Sequence, residues 1–242
     1  MLSASSLLTA SLGAGPFFKV PAAEPRLPDD PGQPAVLVPI RSIGPGERER
    51  IARHLLDLDL HDRFLRFGYA ASDEQVRHYV DSLDFERDEI FGIYNRRLEI
   101  IAMAHLAFPP ADQPIDCAEF GGSVSKQVRG RGYGARLFDR VIVTARNEGI
   151  GMLFIHALSE NAAMLKIARK AGATVARTGS EAEAHLQLPK ADFDSRMAEI
   201  ALDNFGEIDF QLKARAMQFW GFLHRMQAIR RGARSTTEHT ES

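Results

Sequence analysis

The chain has 242 residues, 45% hydrophobic and 26% charged, with a formal net charge of −2. Such a composition builds a sizeable globular core, as one domain with extensions or two small domains. The near-neutral charge argues against nucleic acid or an anionic membrane surface as a partner. Its single cysteine, Cys117, excludes an intramolecular disulfide and a cysteine-based metal cluster, and it suits a reducing, cytoplasmic setting.

Residues 1–35 are rich in Ser, Ala, Gly and Pro and read as a disordered leader. No basic residue precedes their short apolar run, so a secretory signal fits poorly, and the run is too broken to span a bilayer. Ala35–Arg41 is a first strand, with Pro39 marking an edge or bulge. Glu47 to about Leu60 follows as an amphipathic helix. A second helix opens at Ser72 with Gln75 three residues on, a capping-box pattern, and runs to about Leu83. Ile90–Tyr94 and Leu98–Phe108 flank a hairpin at Asn95-Arg-Arg97. Cys117–Val124 is the next strand.

A glycine-rich turn then precedes a helix reaching about Asn147. Gly130, Gly132 and Gly134 alternate with Arg129, Arg131 and Tyr133, and Leu137, Val141 and Ala145 give the helix its apolar spacing. A helix start carries unpaired N–H groups and partial positive charge, and glycines there let an anion reach the backbone. Two arginines add full charge, so the turn reads as a pyrophosphate cradle. It lacks the Gly-Lys-Ser/Thr ending of a Walker loop and the spacing of the dinucleotide fingerprint. Gly151–Leu158 is a further strand, Ala162–Lys170 a helix, and Thr174–Arg177 with Glu183–Leu188 a final strand pair. From Ala191 onward, Phe193, Met197, Ile200, Leu212, Phe219 and Trp220 have roughly helical spacing. These helices read as an arm packed on the parent domain. An exposed aromatic face there would instead mark a homodimer or partner surface.

Arg129-x-x-Gly132-x-Gly134 resembles the acetyl-CoA signature of the GNAT acetyltransferases, Arg/Gln-x-x-Gly-x-Gly/Ala. Gln127-x-x-Gly130-x-Gly132 is an alternative frame, less favoured because the helix pattern begins at Gly134. The entering strand with Ala118-Glu119-Phe120, and Asn161 with Met164 in the later helix, also look like family segments, closest to the bacterial Pat-type protein lysine acetyltransferases. The resemblance implies a GNAT fold over residues 36–190, an α/β (α+β) architecture. A mixed, mostly antiparallel sheet is splayed around acetyl-CoA, flanked by helices and followed by a helical extension over 191–242. It implies acetyl-CoA as cosubstrate and no metal. The contacts it implies are Gly122, Ser123, Val124, Arg129, Gly130, Arg131, Gly132, Tyr133, Gly134, Ala135 and Asn161.

Acyl transfer to an amine needs a neutral nucleophile. A lysine-like amine with a pKa of about 10.4 costs about 4.6 kcal/mol to deprotonate at pH 7. Glu119 is the best base by two arguments. Alternation puts it on the strand face of Gly121 and Ser123, where small side chains leave room, and the resemblance implies a glutamate base there. His105 and Glu99 on the neighbouring strand are weaker alternatives, His105 reading rather as a partly buried bystander. His156, in an apolar strand, reads as core. Many family members carry a tyrosine acid where Ala168 stands, and Ser159 or Tyr133 are the substitutes at hand. Arg63, Phe64, Arg66 and Phe67 either line the acceptor channel or pack helices.

Three functions fit: acetyl transfer to a protein lysine, acetyl transfer to a small amine, or a non-catalytic acyl-CoA sensor that uses the C-terminal helices as output. The sequence carries no code for the acceptor.

Overall fold

The computed structural model describes residues 38–109, 116–191, 196–215 and 217–218. The expected leader and the end of the chain beyond 218 lie outside them, as does Phe193. Seven strands form one sheet in the order β1-β2-β3-β4-β5-β7-β6. They are β1 (Arg41–Ser42), β2 (Glu89–Tyr94), β3 (Ile100–Ala107), β4 (Cys117–Val124), β5 (Met152–Leu158), β6 (Thr174–Thr178) and β7 (Glu181–Gln187). Every neighbouring pair is antiparallel except β4 and β5, which run parallel.

Helices cover both faces. On one, α4 (Tyr133–Asn147) and α5 (Ala162–Lys170) bury Leu137, Phe138, Val141 and Ala168 against Phe91, Ala104, Phe120, Leu153 and Ile155. The other carries α1 (Arg48–Leu56), α2 (Leu60–Phe67) and α3 (Asp73–Asp81). There Ile51, Leu55, Val76 and Val80 pack on Ile90, Ile100 and Met103. Two-sided cover lets the central strands be apolar on both faces.

Most expected elements are present within a residue or two at their ends. The Ser72–Gln75 capping box forms in full, each side chain meeting the other residue's backbone N–H. The first strand is shorter than expected, just Arg41–Ser42, with 35–37 outside the described residues. The single helix expected from Glu47 to about Leu60 ends at Leu56, and α2, which the sequence pattern does not predict, follows it. The chain breaks after Leu56, and Asp59 starts the new helix by accepting from the Asp62 N–H at 2.8 Å. Gly68 stops it at φ 79°, a left-handed conformation that glycine adopts without penalty.

A last helix, α6 (196–215), lies against the β1 end of the sheet. Buried Arg140 of α4 binds Asp203 at 2.6 Å, and Thr144 donates to Glu199 at 2.7 Å. Further along, the Phe210 ring meets Tyr94 edge-on at 5.1 Å with the Arg41 guanidinium over it. A Cβ on Gly206 would lie 2.1 Å from the Ile40 carbonyl oxygen, so only glycine permits this approach. Met197, Ile200, Ile208 and Leu212 stay exposed. No helix among the described residues is long and apolar enough to cross a membrane.

Candidate active site

β4 and β5 pair through three positions only, Cys117 with Met152, Ala118 with Leu153 and Glu119 with Phe154. Beyond Glu119, β4 stays on β3 as far as Val124, and β5 stays on β7 as far as Leu158. The two strands therefore part, and the β5-facing backbone groups of β4 lose their strand partner. A cavity of about 410 Å³ lies between the parted strands, lined by Glu119–Gly122 and Ile155–Leu158. A cleft of about 460 Å³ adjoins it along β4 towards α4 and α5.

The glycine-rich turn closes one end of the cleft. Gly130 and Gly132 have φ of 76° and 78°, and Gly132 caps α4 without a side-chain bond. A Cβ at either would meet nothing within 4 Å, so the space before the helix start is open. Gly134 differs, since its Cβ would come within 3.2 Å of Ile167, and there the missing side chain lets α4 approach α5. Gly122, Ser123, Val124, Arg129, Gly130, Gly132, Tyr133, Gly134, Ala135 and Asn161 all line the cleft. Arg131 does not, and it lines a separate depression instead. Lys166 of α5 lines the cleft and was not foreseen. Its helical spacing alone gives no reason to aim it there.

Arg129 is already engaged. Its guanidinium lies 2.5 Å from the carboxylate of Asp62, a buried side chain whose other oxygen has no partner among the described residues. Asn161 caps α5 by accepting from the Met164 N–H at 3.1 Å. Ser123 meets His54 of α1 at 2.8 Å. The other ring nitrogen of His54 is 3.0 Å from the Ile100 carbonyl, which only accepts, so that nitrogen carries the proton and Ser123 donates to the free one. Burial, aided by the charge of Arg66, pushes the His54 pKa down to about 4 and keeps the ring neutral.

Glu119 is exposed and lines the cavity of about 410 Å³ with Arg66, Gly121, His156, Glu181 and Glu183. Arg66, Phe120, Gly122 and Asn161 border both spaces, so the two adjoin. A Cβ on Gly121 would touch the Arg66 guanidinium at 2.8 Å, which explains a glycine at that position. Arg66 donates to Tyr79 at 2.8 Å, Tyr79 meets His105 at 2.8 Å, and His105 meets Asp88 at 3.0 Å. Both nitrogens of His105 are thus occupied within a buried network, the bystander role expected of it. Arg63, by contrast, is buried and bonds Asp73 and the Leu58 carbonyl, packing helices rather than lining a channel.

Several minor expectations are corrected. Glu99 accepts from Asn95 in the hairpin and lines the far depression, away from Glu119. His156 is not core. It is exposed, stacks beside Phe154, and faces the Glu119 cavity. Ser159 donates to the Gly179 and Glu181 carbonyls, so its hydroxyl is spent on the β6–β7 turn. Ala168 is fully buried. At Cys117, burial and the neighbouring Asp116 push the thiol pKa up, which disfavours a thiolate. No group of three or more metal-ligating side chains is gathered among the described residues.

Residues 54–173 match the acetyltransferase (GNAT) family. The chain carries a GNAT acetyltransferase domain. The protein is an acyltransferase, built on the GNAT fold of a mixed sheet flanked by helices. Among solved structures, the GNAT domain of S. lividans PAT is similar at 24% identity and a TM-score of 0.53, over 62% of this chain and 89% of that one. An acetyltransferase of the GNAT family from Staphylococcus aureus Mu50 is similar at 12% identity and a TM-score of 0.51, over 63% and 100%. Salmonella typhimurium yncA, solved with acetyl-CoA, is similar at 15% identity and a TM-score of 0.51, over 64% and 96%. Identities this low speak for the fold alone. No functionally curated protein matches the sequence.

Proposed function

We propose that this GNAT protein transfers the acetyl group of acetyl-CoA to a primary amine, with a protein lysine as the acceptor and Glu119 as the base. The observation that carries this reading is the placement of Glu119 at the last position where β4 pairs with β5, where the cavity it lines adjoins the cleft. Gly130, Gly132 and the start of α4 would hold the pyrophosphate, with Arg129 and Lys166 supplying charge. Glu119 takes a proton from the incoming ammonium, and the freed nitrogen attacks the thioester carbonyl. The C–N bond forms, the C–S bond breaks as CoA leaves as a thiolate, and the second proton of the nitrogen passes to that thiolate, leaving a neutral amide and free CoA thiol. A thiol pKa of about 8.5 makes that departure tolerable without a tyrosine acid. Cys117 has no part in this direct transfer.

A lysine acceptor is supported by the charge and the rim of the Glu119 cavity. Glu119, Glu181 and Glu183 suit a cationic side chain. Tyr69, 47% exposed and 6.2 Å from Phe67, offers an apolar ring beside the entrance for a macromolecule. The test is acetyl-CoA turnover with lysine peptides, a polyamine, amino acids and a protein lysate, read by mass spectrometry. Acetyl-lysine in peptides or lysate proteins is expected. Turnover on the small amines alone would replace the acceptor, and tight acetyl-CoA binding with no turnover on any amine would point to a sensor.

A further inference from the structure

The largest cavity described, about 840 Å³, is not the cleft and lies behind the glycine-rich turn. Five cationic side chains line it, Arg50, Arg53, Arg96, Arg131 and Lys213, against two acidic ones, Asp57 and Glu99. Two of the cations are paired, Arg50 with Glu47 at 2.6 Å and Lys213 with Asp209 at 2.6 Å. Arg53 is 4.0 Å from Glu49 and largely exposed. Arg96 and Arg131 make no hydrogen bond or ion pair among the described residues. Unpaired guanidinium groups converging on a concave surface form an anion site, because their fork geometry matches phosphate oxygens. The volume falls in the range of small-molecule sites. Tyr133 and Gln127 also line it, the latter with a side-chain amide, whereas the Asn95 amide is spent in the hairpin on Glu99 and Arg97.

We propose that this depression binds a second anionic ligand, a small molecule bearing a diphosphate, and that its occupancy is coupled to the acetyl-CoA cradle. The coupling follows from shared parts. Arg131 stands between the two left-handed glycines and lines the depression. Tyr133, the first residue of α4, borders both spaces. His54 lines the depression while its ring holds Ser123 of the cleft. An anion that fixes Arg131 and Tyr133 therefore changes the conformational freedom of the cradle itself, and linkage makes the effect reciprocal.

The test measures ADP and inorganic pyrophosphate binding by calorimetry, with and without saturating acetyl-CoA. The arm without acetyl-CoA stands even if the protein does not use that cosubstrate. One equivalent of ADP or pyrophosphate is expected to bind the loaded protein. Binding of both means that phosphates alone are read, and binding of ADP only means that the nucleoside is read too. The double variant Arg53→Glu, Arg96→Glu should weaken that binding at least tenfold. Acetyl-CoA affinity should shift about fivefold or more when the second ligand is present. Failure of both probes to bind the loaded protein, complete competition with acetyl-CoA, or indifference to the double variant would overturn the site. Binding that leaves acetyl-CoA affinity unchanged would overturn the coupling.

Discussion

Arg129 of the glycine-rich turn reaches across the cleft to within 2.5 Å of Asp62 on α2. The carboxylate is buried and the guanidinium half-exposed, so the pair is partly shielded from solvent screening. A phosphate arriving at the turn must share Arg129 with a fixed negative charge. Asp62→Asn should therefore tighten acetyl-CoA binding several-fold and steepen its salt dependence. Arg129→Ala should weaken binding and also lower stability, because it strands a buried carboxylate. Calorimetry at two salt concentrations and a denaturant titration separate these effects. Unchanged affinity in both variants would place Arg129 outside the phosphate site.

Gly132 tests the cradle by conformation. Its φ of 78° costs a residue with a Cβ about 1–3 kcal/mol, while the surrounding space is empty. Gly132→Ala should cost stability and some acetyl-CoA affinity. Gly132→Val should nearly abolish that affinity, because its branches fill the opening at the helix start. Equal affinity for the two variants and wild type would refute the assignment.

Glu119→Gln should lower turnover by roughly 10²–10⁴-fold at neutral pH with acetyl-CoA affinity retained. Raising the pH should restore part of the rate as free amine accumulates. His156, newly found in the same cavity, supplies the control. If His156→Ala loses more turnover than Glu119→Gln, the base is the imidazole.

The neutral, buried His54 makes stability depend on pH with a defined sign. Its folded pKa of about 4 lies below its unfolded value of about 6.5. The contribution is complete above pH 6.5 and is lost as pH falls towards 4, because only the unfolded state takes the proton in that window. The loss approaches about 3 kcal/mol. Urea denaturation of wild type and His54→Gln at pH 7 and pH 5 should show a smaller pH loss in the variant. Equal losses would mean that His54 is protonated in the folded state.

What was legible in the sequence was local. The capping box at Ser72, the hairpin at Asn95 and the glycine turn before α4 each rest on residues a few positions apart, and each is present. The face shared by Glu119, Gly121 and Ser123 followed from alternation alone. α2 is not legible as a separate helix because only three residues, Asp57–Asp59, part it from α1, although Asp59 carries a start signal and Gly68 a stop signal. That Arg131 lines a different space from Arg129 depends on the left-handed glycines around it, which composition does not fix. His156 was misread because the apolar run Met152–Leu158 reads as buried on both sides. In the fold, one side of β5 at that point faces the cavity rather than a helix. The Asp62–Arg129 pair joins residues far apart in the chain, and no local rule anticipates it.

The position of β7 bears on how the molecule is made. It is the last of the described strands to leave the ribosome, yet it sits between β5 and β6, and it pairs with β5 from Met152 to Leu158. Synthesis runs from the N-terminus, so throughout translation of α5 and β6 the outer edge of β5 is an open template for other chains. α6, which docks on the β1 end of the sheet, arrives later still. Nascent chains halted at Thr178 should be digested readily within β5, and chains released after α6 should resist. The seam between β4 and β5 is thus framed early but braced late, when β7 closes the edge of β5 opposite β4.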